Sequence, residues 1–212
     1  MSRASEIVKG LIKLQEEYCR TYRAITTKER YTGLVESGVL KEFSYDLELL
    51  REPLMEHVGH LPVIAAYLHP YLKNRDKVDL GKTLLILAIH DIGETVTGDI
   101  LTYSKKKKHD IIERREAKNK LPAYLFNYYE EYEKLKTLEA KFAKSVDALS
   151  PILHEFSIPK VTFERLKHFK FTVDAIKKKK TKYFAWDPTM ENVFVYLIKE
   201  FRKIEKKYSE SL

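Results

Sequence analysis

A histidine and an aspartate stand side by side at the end of an apolar run, Ile86-Leu87-Ala88-Ile89, and a glutamate follows three residues later. Burying His90 and Asp91 beside this run is unfavourable unless the two side chains are paired or bind a cation. Imidazole and carboxylate groups together suit a borderline or hard divalent metal ion. A capped, solvated helix end would explain the same residues, so other parts of the chain must decide between the two interpretations.

Two more potential ligands occur in apolar contexts elsewhere in the chain. Glu56-His57 opens a predicted helix whose apolar side includes Leu61 and Ile64, so the histidine can point into a helical bundle. Asp147 interrupts an apolar stretch, where a lone carboxylate requires a cation or hydrogen-bond partners. Bundle interiors commonly assemble metal sites from facing helices. These residues therefore predict a metal site built by separate helices.

A second His-Asp pair, His109-Asp110, provides a control within the same chain. It follows four consecutive lysines rather than an apolar helix, and nothing around it requires a buried partner. We therefore expect this pair to be exposed. We expect His60, three residues after His57, to have a packing or supporting role, with direct metal ligation as the alternative.

The composition indicates one domain over residues 1–212, with the motif-bearing core at about 50–156. Glycine and proline number only seven each, and no linker rich in them interrupts the sequence. The single cysteine, Cys19, excludes an intrachain disulfide and favours a reducing compartment. The N-terminus lacks the apolar core of a signal peptide, and no apolar run approaches membrane-spanning length. We therefore expect a cytoplasmic protein without a membrane partner.

The net charge of +8 favours anionic partners. We interpret the lysine runs at 105–108 and 177–180 as solvated, with a basic rim that attracts phosphorylated substrates as the alternative. Neither zinc-finger spacing nor the aromatic-glycine signature of an RNA-recognition sheet is present, so we do not expect nucleic-acid binding.

Most of the sequence repeats its apolar residues at a helical period, and no run alternates as a strand does, so we predict an all-α bundle. Pro62 is expected early in its helix, and Pro151 is expected to kink or restart another. Asp187 should cap the last helix, with Pro188 at its first position. The helices are predicted at about 5–24, 57–73, 82–90, 111–120, 122–136, 139–156, 161–180 and 187–208.

Three segments of the chain carry a family resemblance. They are Glu56-His57, then His90-Asp91-Ile92-Gly93-Glu94 with Gly98-Asp99, and finally Val146-Asp147-Ala148-Leu149. Together they resemble the HD-domain metal-dependent phosphohydrolases, and most closely the branch that includes the bacterial 5′-deoxynucleotidases and their eukaryotic relatives. The match covers roughly residues 50–151, and it implies an HD-domain helical bundle with additional flanking helices.

The resemblance also implies individual roles. One divalent ion (Co, Mn, Zn, Fe, Ni or Mg) would be the cofactor. Glu94 would lie beside the bound water as the catalytic residue, Asp99 would contact the sugar of a nucleotide, and Lys105 would contact its phosphate or another part of the substrate. The implied metal ligands are His57, His90, Asp91 and Asp147. A second metal is an alternative, with Glu94, Glu113, Glu116 and His60 as extra ligands, although the helix at 111–120 is expected to present solvated charges.

The reaction that the resemblance implies is hydrolysis of a nucleoside 5′-monophosphate to nucleoside and phosphate through a metal-activated water. Glu94 would exchange a proton with that water or with the leaving oxygen. The Arg-Trp pair that helps the nucleotidase branch select deoxyribose is missing, because the corresponding region reads Lys41-Glu42-Phe43-Ser44. The choice between deoxyribose and ribose therefore stays open.

Two other functions are compatible with the same residues. One is a phosphodiesterase, or a hydrolase of nucleoside triphosphates or signalling nucleotides, on the same scaffold. The other is a non-enzymatic basic module that holds a structural metal and binds nucleic acid. The aromatic-rich segment at 124–129 is either a homodimer interface or part of ordinary packing.

Overall fold

The computed structural model describes residues 3–20, 54–97, 106–157, 163, 166–167 and 172–209. Every regular element in these residues is helical, with no strand among them, so the prediction of an all-α fold is confirmed. Short 3-10 turns occupy His69–Tyr71, Arg75–Lys77 and Thr181–Tyr183. The α-helices are α1 (Arg3–Arg20), α2 (Leu54–Leu68), α3 (Leu80–Ile89), α4 (Glu94–Thr97), α5 (Lys107–Lys120), α6 (Ala123–Lys134), α7 (Leu138–Ser157), α8 (Val173–Lys180) and α9 (Pro188–Ser209).

The apolar helix α3 packs against α2 and α7, and this three-helix contact forms the part of the core that supports the site. Thr83, Ile86 and Leu87 are buried along one stripe of α3. His90 follows at the next position of this helical period and is buried as well. The histidine is therefore carried into the interior by the apolar stripe that precedes it.

The turn after α3 packs directly on the backbone of α5. A Cβ atom added to Gly93 would lie only 2.6 Å from the carbonyl oxygen of Glu113. Any larger residue would push the turn away from α5, so glycine permits this close approach. The contact fixes the path of the chain immediately after Asp91.

Two prolines lie at other places within their helices than predicted. Helix α2 begins at Leu54, earlier than predicted, so Pro62 lies inside the helix rather than near its start. Helix α7 runs from Leu138 to Ser157 as one helix that includes Pro151, so the chain does not restart a helix there. Pro151 is exposed while Ile152 and Leu153 beside it are buried. Burial of these side chains offsets the hydrogen bond that proline removes.

Helices α8 and α9 begin at side-chain caps. Thr172 is extended and its hydroxyl accepts a hydrogen bond from Ala175 N–H at 3.1 Å, so α8 starts later than the predicted helix at 161–180. The predicted cap of α9 is confirmed, because Asp187 Oδ1 accepts from Thr189 N–H at 2.8 Å. Its Oδ2 accepts from Lys73 N–H at 3.0 Å, which fastens the start of α9 to the chain after α2.

The N-terminal and C-terminal helices of the described chain pack against each other, and α1 also contacts α7. Ile7 and Val8 bury the apolar side of α1, while Ser5 Oγ donates a hydrogen bond to the Tyr196 hydroxyl at 3.2 Å. None of the described helices combines the length and apolar character that crossing a membrane requires.

Candidate metal centre

Three side chains from three different helical segments meet beside the core. His57 on α2, His90 at the end of α3 and Asp147 on α7 each offer a ligand atom, and these atoms all lie within 4.8 Å of one another. Asp147 Oδ1 is 3.4 Å from His57 Nε2 and 3.8 Å from His90 Nε2. These three residues can hold a metal ion.

The fourth predicted ligand lies beside this group. Asp91 Oδ2 is 3.5 Å from His57 Nε2 and 3.1 Å from His90 Nε2. The structure therefore brings the two motif histidines and the two motif aspartates into one cluster. Ligation by Asp91 stays a prediction, and so does the division of roles among the four.

The ring of His90 is oriented for ligation by Nε2. Its Nδ1 lies 2.9 Å from the carbonyl oxygen of Leu87, so Nδ1 carries the hydrogen and donates it. The side chain is fully buried, and Nε2 has no hydrogen-bond partner among the described residues. Metal-binding histidines typically donate their other ring N–H to a carbonyl or carboxylate in this way. A buried nitrogen that faces carboxylates without a hydrogen bond fits a divalent cation.

The protonation of His90 without a metal supports the same interpretation. Burial alone would lower the pKa of the imidazole, but the carboxylates of Asp91 and Asp147 raise it to about 10. In the metal-free protein the ring is therefore positively charged at neutral pH. The extra proton on Nε2 supplies the positive charge that the two carboxylates attract.

The two oxygens of Asp147 face different partners. Oδ1 faces the histidines, whereas Oδ2 accepts hydrogen bonds from the Tyr132 hydroxyl at 2.7 Å and from Lys144 Nζ at 2.9 Å. Lys144 Nζ also donates to the Tyr132 hydroxyl at 2.9 Å. Because Oδ2 is already occupied, Oδ1 is the oxygen available to a cation.

These partners keep Asp147 ionised. Burial alone would raise the pKa of its carboxyl, but Lys144 and the two histidines hold that pKa well below its usual range. Sequence reasoning did not identify Tyr132 or Lys144 as part of the site. The spacing of three residues between Lys144 and Asp147 on one helix was the available signal. Tyr132 is one of 14 tyrosines and carried no signal of its own.

The supporting residues differ in how the structure places them. His60 Nε2 lies 2.6 Å from Ser150 Oγ, and its ring centre is 5.7 Å from that of His57, which agrees with a supporting role. Glu94 begins α4, is half-buried, and its N–H donates to Asp91 O at 2.9 Å. Asp99 and Lys105 lie outside the described residues.

The expectation about α5 is wrong for one residue, Glu113, while Arg114, Arg115, Lys118 and Lys120 are exposed as expected. This helix was expected to present solvated charges, but Glu113 is buried, with only 5% of its surface exposed. The reason is the close approach of Gly93, which covers the backbone of α5 at this residue. Glu116, on the same helix, is half-buried.

Comparison with known proteins agrees with this geometry. The family model described as the HD domain matches residues 45–187, a span that includes the whole cluster. The chain is also similar to a crystal structure described as a predicted metal-dependent phosphohydrolase from Magnetospirillum magnetotacticum MS-1. That similarity has a TM-score of 0.63 and 26% sequence identity, and it covers 82% of this chain and 94% of the other.

No curated protein matches the sequence. The family match and the grouped histidine and carboxylate ligands together support a divalent metal ion as cofactor. The match extends over about two thirds of the residues, so the chain belongs to the HD domain family.

Proposed function

We propose that this protein is a metal-dependent phosphohydrolase that converts nucleoside 5′-monophosphates to nucleoside and inorganic phosphate. The observation that carries the proposal is the buried Nε2 of His90, which faces the carboxylates of Asp91 and Asp147 but makes no hydrogen bond to any residue that the structure describes. The described function of the similar protein from Magnetospirillum magnetotacticum supports the class of reaction. The choice of a nucleoside monophosphate rests on the sequence resemblance to the nucleotidase branch.

The charges of the cluster suit a catalytic ion. In the proposal the ion is held by His57, His90, Asp91 and Asp147, and two neutral imidazoles with two carboxylates balance the charge of a divalent cation. When bound, such a cation polarises a phosphoryl oxygen and lowers the pKa of a water molecule. A site with no excess negative charge leaves the cation able to attract the phosphate.

The protein side chains then have separate tasks. Tyr132 and Lys144 hold Asp147 Oδ2, which keeps the direction of Oδ1 constant during the reaction. Glu94 accepts a proton from the attacking water, whose oxygen forms the new bond to phosphorus. The ester oxygen leaves as the P–O bond breaks, and Glu94 returns a proton to it. Asp99 contacts the sugar and Lys105 contacts the phosphate.

A phosphate-release assay with a panel of nucleotides tests the proposal. Purified protein supplemented with each candidate metal is given ribo- and deoxyribonucleoside 5′-monophosphates, diphosphates, triphosphates and cyclic nucleotides. The Asp91→Ala protein serves as the blank. We expect the monophosphates to be hydrolysed fastest, and elemental analysis identifies the bound ion. Faster turnover of cyclic nucleotides or triphosphates would select the alternative hydrolases, and no turnover of any substrate contradicts the proposal.

A further inference from the structure

A cavity of about 310 Å³ lies next to the metal cluster, between the end of α6, helix α7 and the connection from α8 to α9. Its lining includes the side chains of Lys141, Lys144 and Lys182, together with Tyr183 and Trp186. Its position beside the cluster follows from Lys144, whose ammonium group also donates to Asp147. The volume is in the range of pockets that bind small molecules.

The cavity is positively charged. Three lysines line it, and none of the described residues that line it is acidic. Lys144 is offset by Asp147, but Lys182 and Lys141 add positive charge to the lining. The neighbouring lysines of α8 experience this charge. Burial and then the charge of Lys182 lower the pKa of Lys179. An anion placed in the cavity would reduce this repulsion.

The ring of Tyr183 contacts two of the ammonium groups. Lys182 Nζ lies 4.9 Å and Lys144 Nζ lies 5.6 Å from the ring centre of Tyr183. Contacts of this length between a cation and an aromatic face are favourable. The two lysines are therefore positioned before a ligand arrives, which reduces the entropy that binding would otherwise lose.

Trp186, which also lines the cavity, is held by a hydrogen bond and by aromatic packing. Trp186 Nε1 donates a hydrogen bond to Ser145 Oγ at 2.7 Å, and its ring packs against Phe142 at a centre-to-centre distance of 6.1 Å. Ser145 is buried, and its hydroxyl lies 2.7 Å from the carbonyl oxygen of Tyr183. These contacts tie the connection between α8 and α9 to helix α7. Tyr183 and Trp186, which line the cavity, are therefore held at defined positions relative to α7.

We propose that this cavity binds the phosphate group of a small molecule, at a site separate from the metal centre but connected to it through Lys144. Lysine ammonium groups bind phosphate as point charges, and three of them around one cavity, with no acidic residue among its described lining, favour a multiply charged anion. The phosphate is either free inorganic phosphate or a group carried by a nucleotide. The site does not depend on the proposed hydrolytic reaction.

Trp186 is the only tryptophan of the chain, so its fluorescence reports directly on this cavity. The full-length protein is treated with a chelator, which prevents turnover, and is titrated at constant ionic strength with inorganic phosphate, with adenosine 5′-monophosphate and with adenosine. We expect a saturable change with the two phosphate-containing probes and none with adenosine. Equal affinities indicate a site for free phosphate, whereas tighter binding of the nucleotide indicates a site for a phosphorylated metabolite.

Two lysine variants form a matched pair for this titration. Both lysines are exposed, but Lys182 lines the cavity, whereas Lys178 on α8 is not among its lining residues. We expect Lys182→Met to raise the Kd for inorganic phosphate by about tenfold, the effect of losing one charge-assisted contact, and Lys178→Met to leave it unchanged. If circular dichroism shows that the Lys182→Met protein does not fold, Lys141→Met is used in its place.

The proposal is overturned if neither phosphate probe gives a saturable change, or if the cavity variant and Lys178→Met bind phosphate equally well. Because the titration is done without metal, its result is independent of the phosphate-release assay. If the protein binds phosphate in this cavity but hydrolyses no nucleotide, the anion site is supported and only the proposed reaction is refuted.

Discussion

The chain contains the dipeptide His-Asp twice, and the two copies have entirely different environments. In His90-Asp91 the imidazole is buried, and its Nε2 faces carboxylates. In His109-Asp110 the aspartate is exposed in the first turn of α5, as predicted. His109 is half-buried rather than exposed, because its Nδ1 accepts a hydrogen bond from Lys106 N–H at 3.1 Å.

The difference shows that the residues before each pair decide its role. His90 continues the buried stripe of α3, so the helix carries the imidazole into the interior. His109 follows a lysine run at the start of a helix, where an unpaired backbone N–H needs an acceptor. Its ring caps the helix instead. Identical side chains thus build a candidate metal centre in one region and satisfy a local hydrogen bond in the other.

The largest expected effect comes from removing a carboxylate from the buried cluster. Asp147→Ala should weaken binding of the divalent ion by more than about 100-fold and abolish turnover, because it removes an atom that faces both histidines. Asp110→Ala is the matched control at the exposed pair and should bind metal like the wild type. Isothermal titration calorimetry and elemental analysis measure both. Full metal content in the Asp147 variant would show that the cluster has been misassigned.

A smaller effect is expected from the group that orients Asp147. Tyr132→Phe removes one hydrogen bond to Oδ2 but leaves the aromatic ring, so metal affinity should fall by about 10- to 100-fold. A matched control is Tyr128→Phe, on the same helix. Competition with a metal-binding dye measures the affinities, and thermal denaturation verifies that both variants fold. Wild-type affinity in the Tyr132 variant would mean that Lys144 alone orients the carboxylate.

The pKa of His90 predicts how pH affects the metal-free protein. The pKa is raised from 6.5 when unfolded to about 10 when folded, so the protonated ring stabilises the fold below pH 6.5. This contribution is lost progressively as the pH rises toward 10. Between pH 6.5 and 8, the free energy of unfolding of chelated protein should fall by about 2 kcal/mol.

Urea denaturation at these two pH values, with chelator and with saturating metal, measures the effect. Groups that face His90 include His57, Asp91, Asp147 and the Tyr132 ring. The upper limit of pH 8 is chosen because desolvation lowers the pKa of the half-buried Lys180 to about 8, so this residue acts in the opposite direction above that pH. Saturating metal should remove the fall, since the cation replaces the proton. Equal pH dependence with and without metal would contradict this assignment.

The smallest effect is expected at the exposed pair. His109→Ala removes the acceptor for Lys106 N–H, which should lower the free energy of unfolding by about 0.5–1 kcal/mol. Metal affinity and turnover should not change. Chemical denaturation and the phosphate-release assay test both statements. A large loss of activity would mean that the second pair, not the first, belongs to the catalytic centre.

Much of the fold could be predicted from local patterns. Helical periodicity located α3, α7 and α9, and the cap formed by Asp187 is a property of neighbouring residues. Local patterns did not predict that helices α2 and α7 continue through Pro62 and Pro151, because tertiary burial outweighs the local cost of proline. Helix α8 also begins later than predicted, directly after its cap residue Thr172, because helical periodicity alone does not show where a cap interrupts a helix.

The potential cation ligands could be identified from the sequence: two histidines and two aspartates stand beside apolar residues, where burying them without a partner is unfavourable. Which of them meet, and which oxygen of Asp147 stays available, depends on the tertiary structure. Tyr132 lies on a different helix from Asp147, and no spacing along the chain reveals their hydrogen bond. Distances between helices depend on how side chains pack, and packing depends on the whole fold rather than on any one segment.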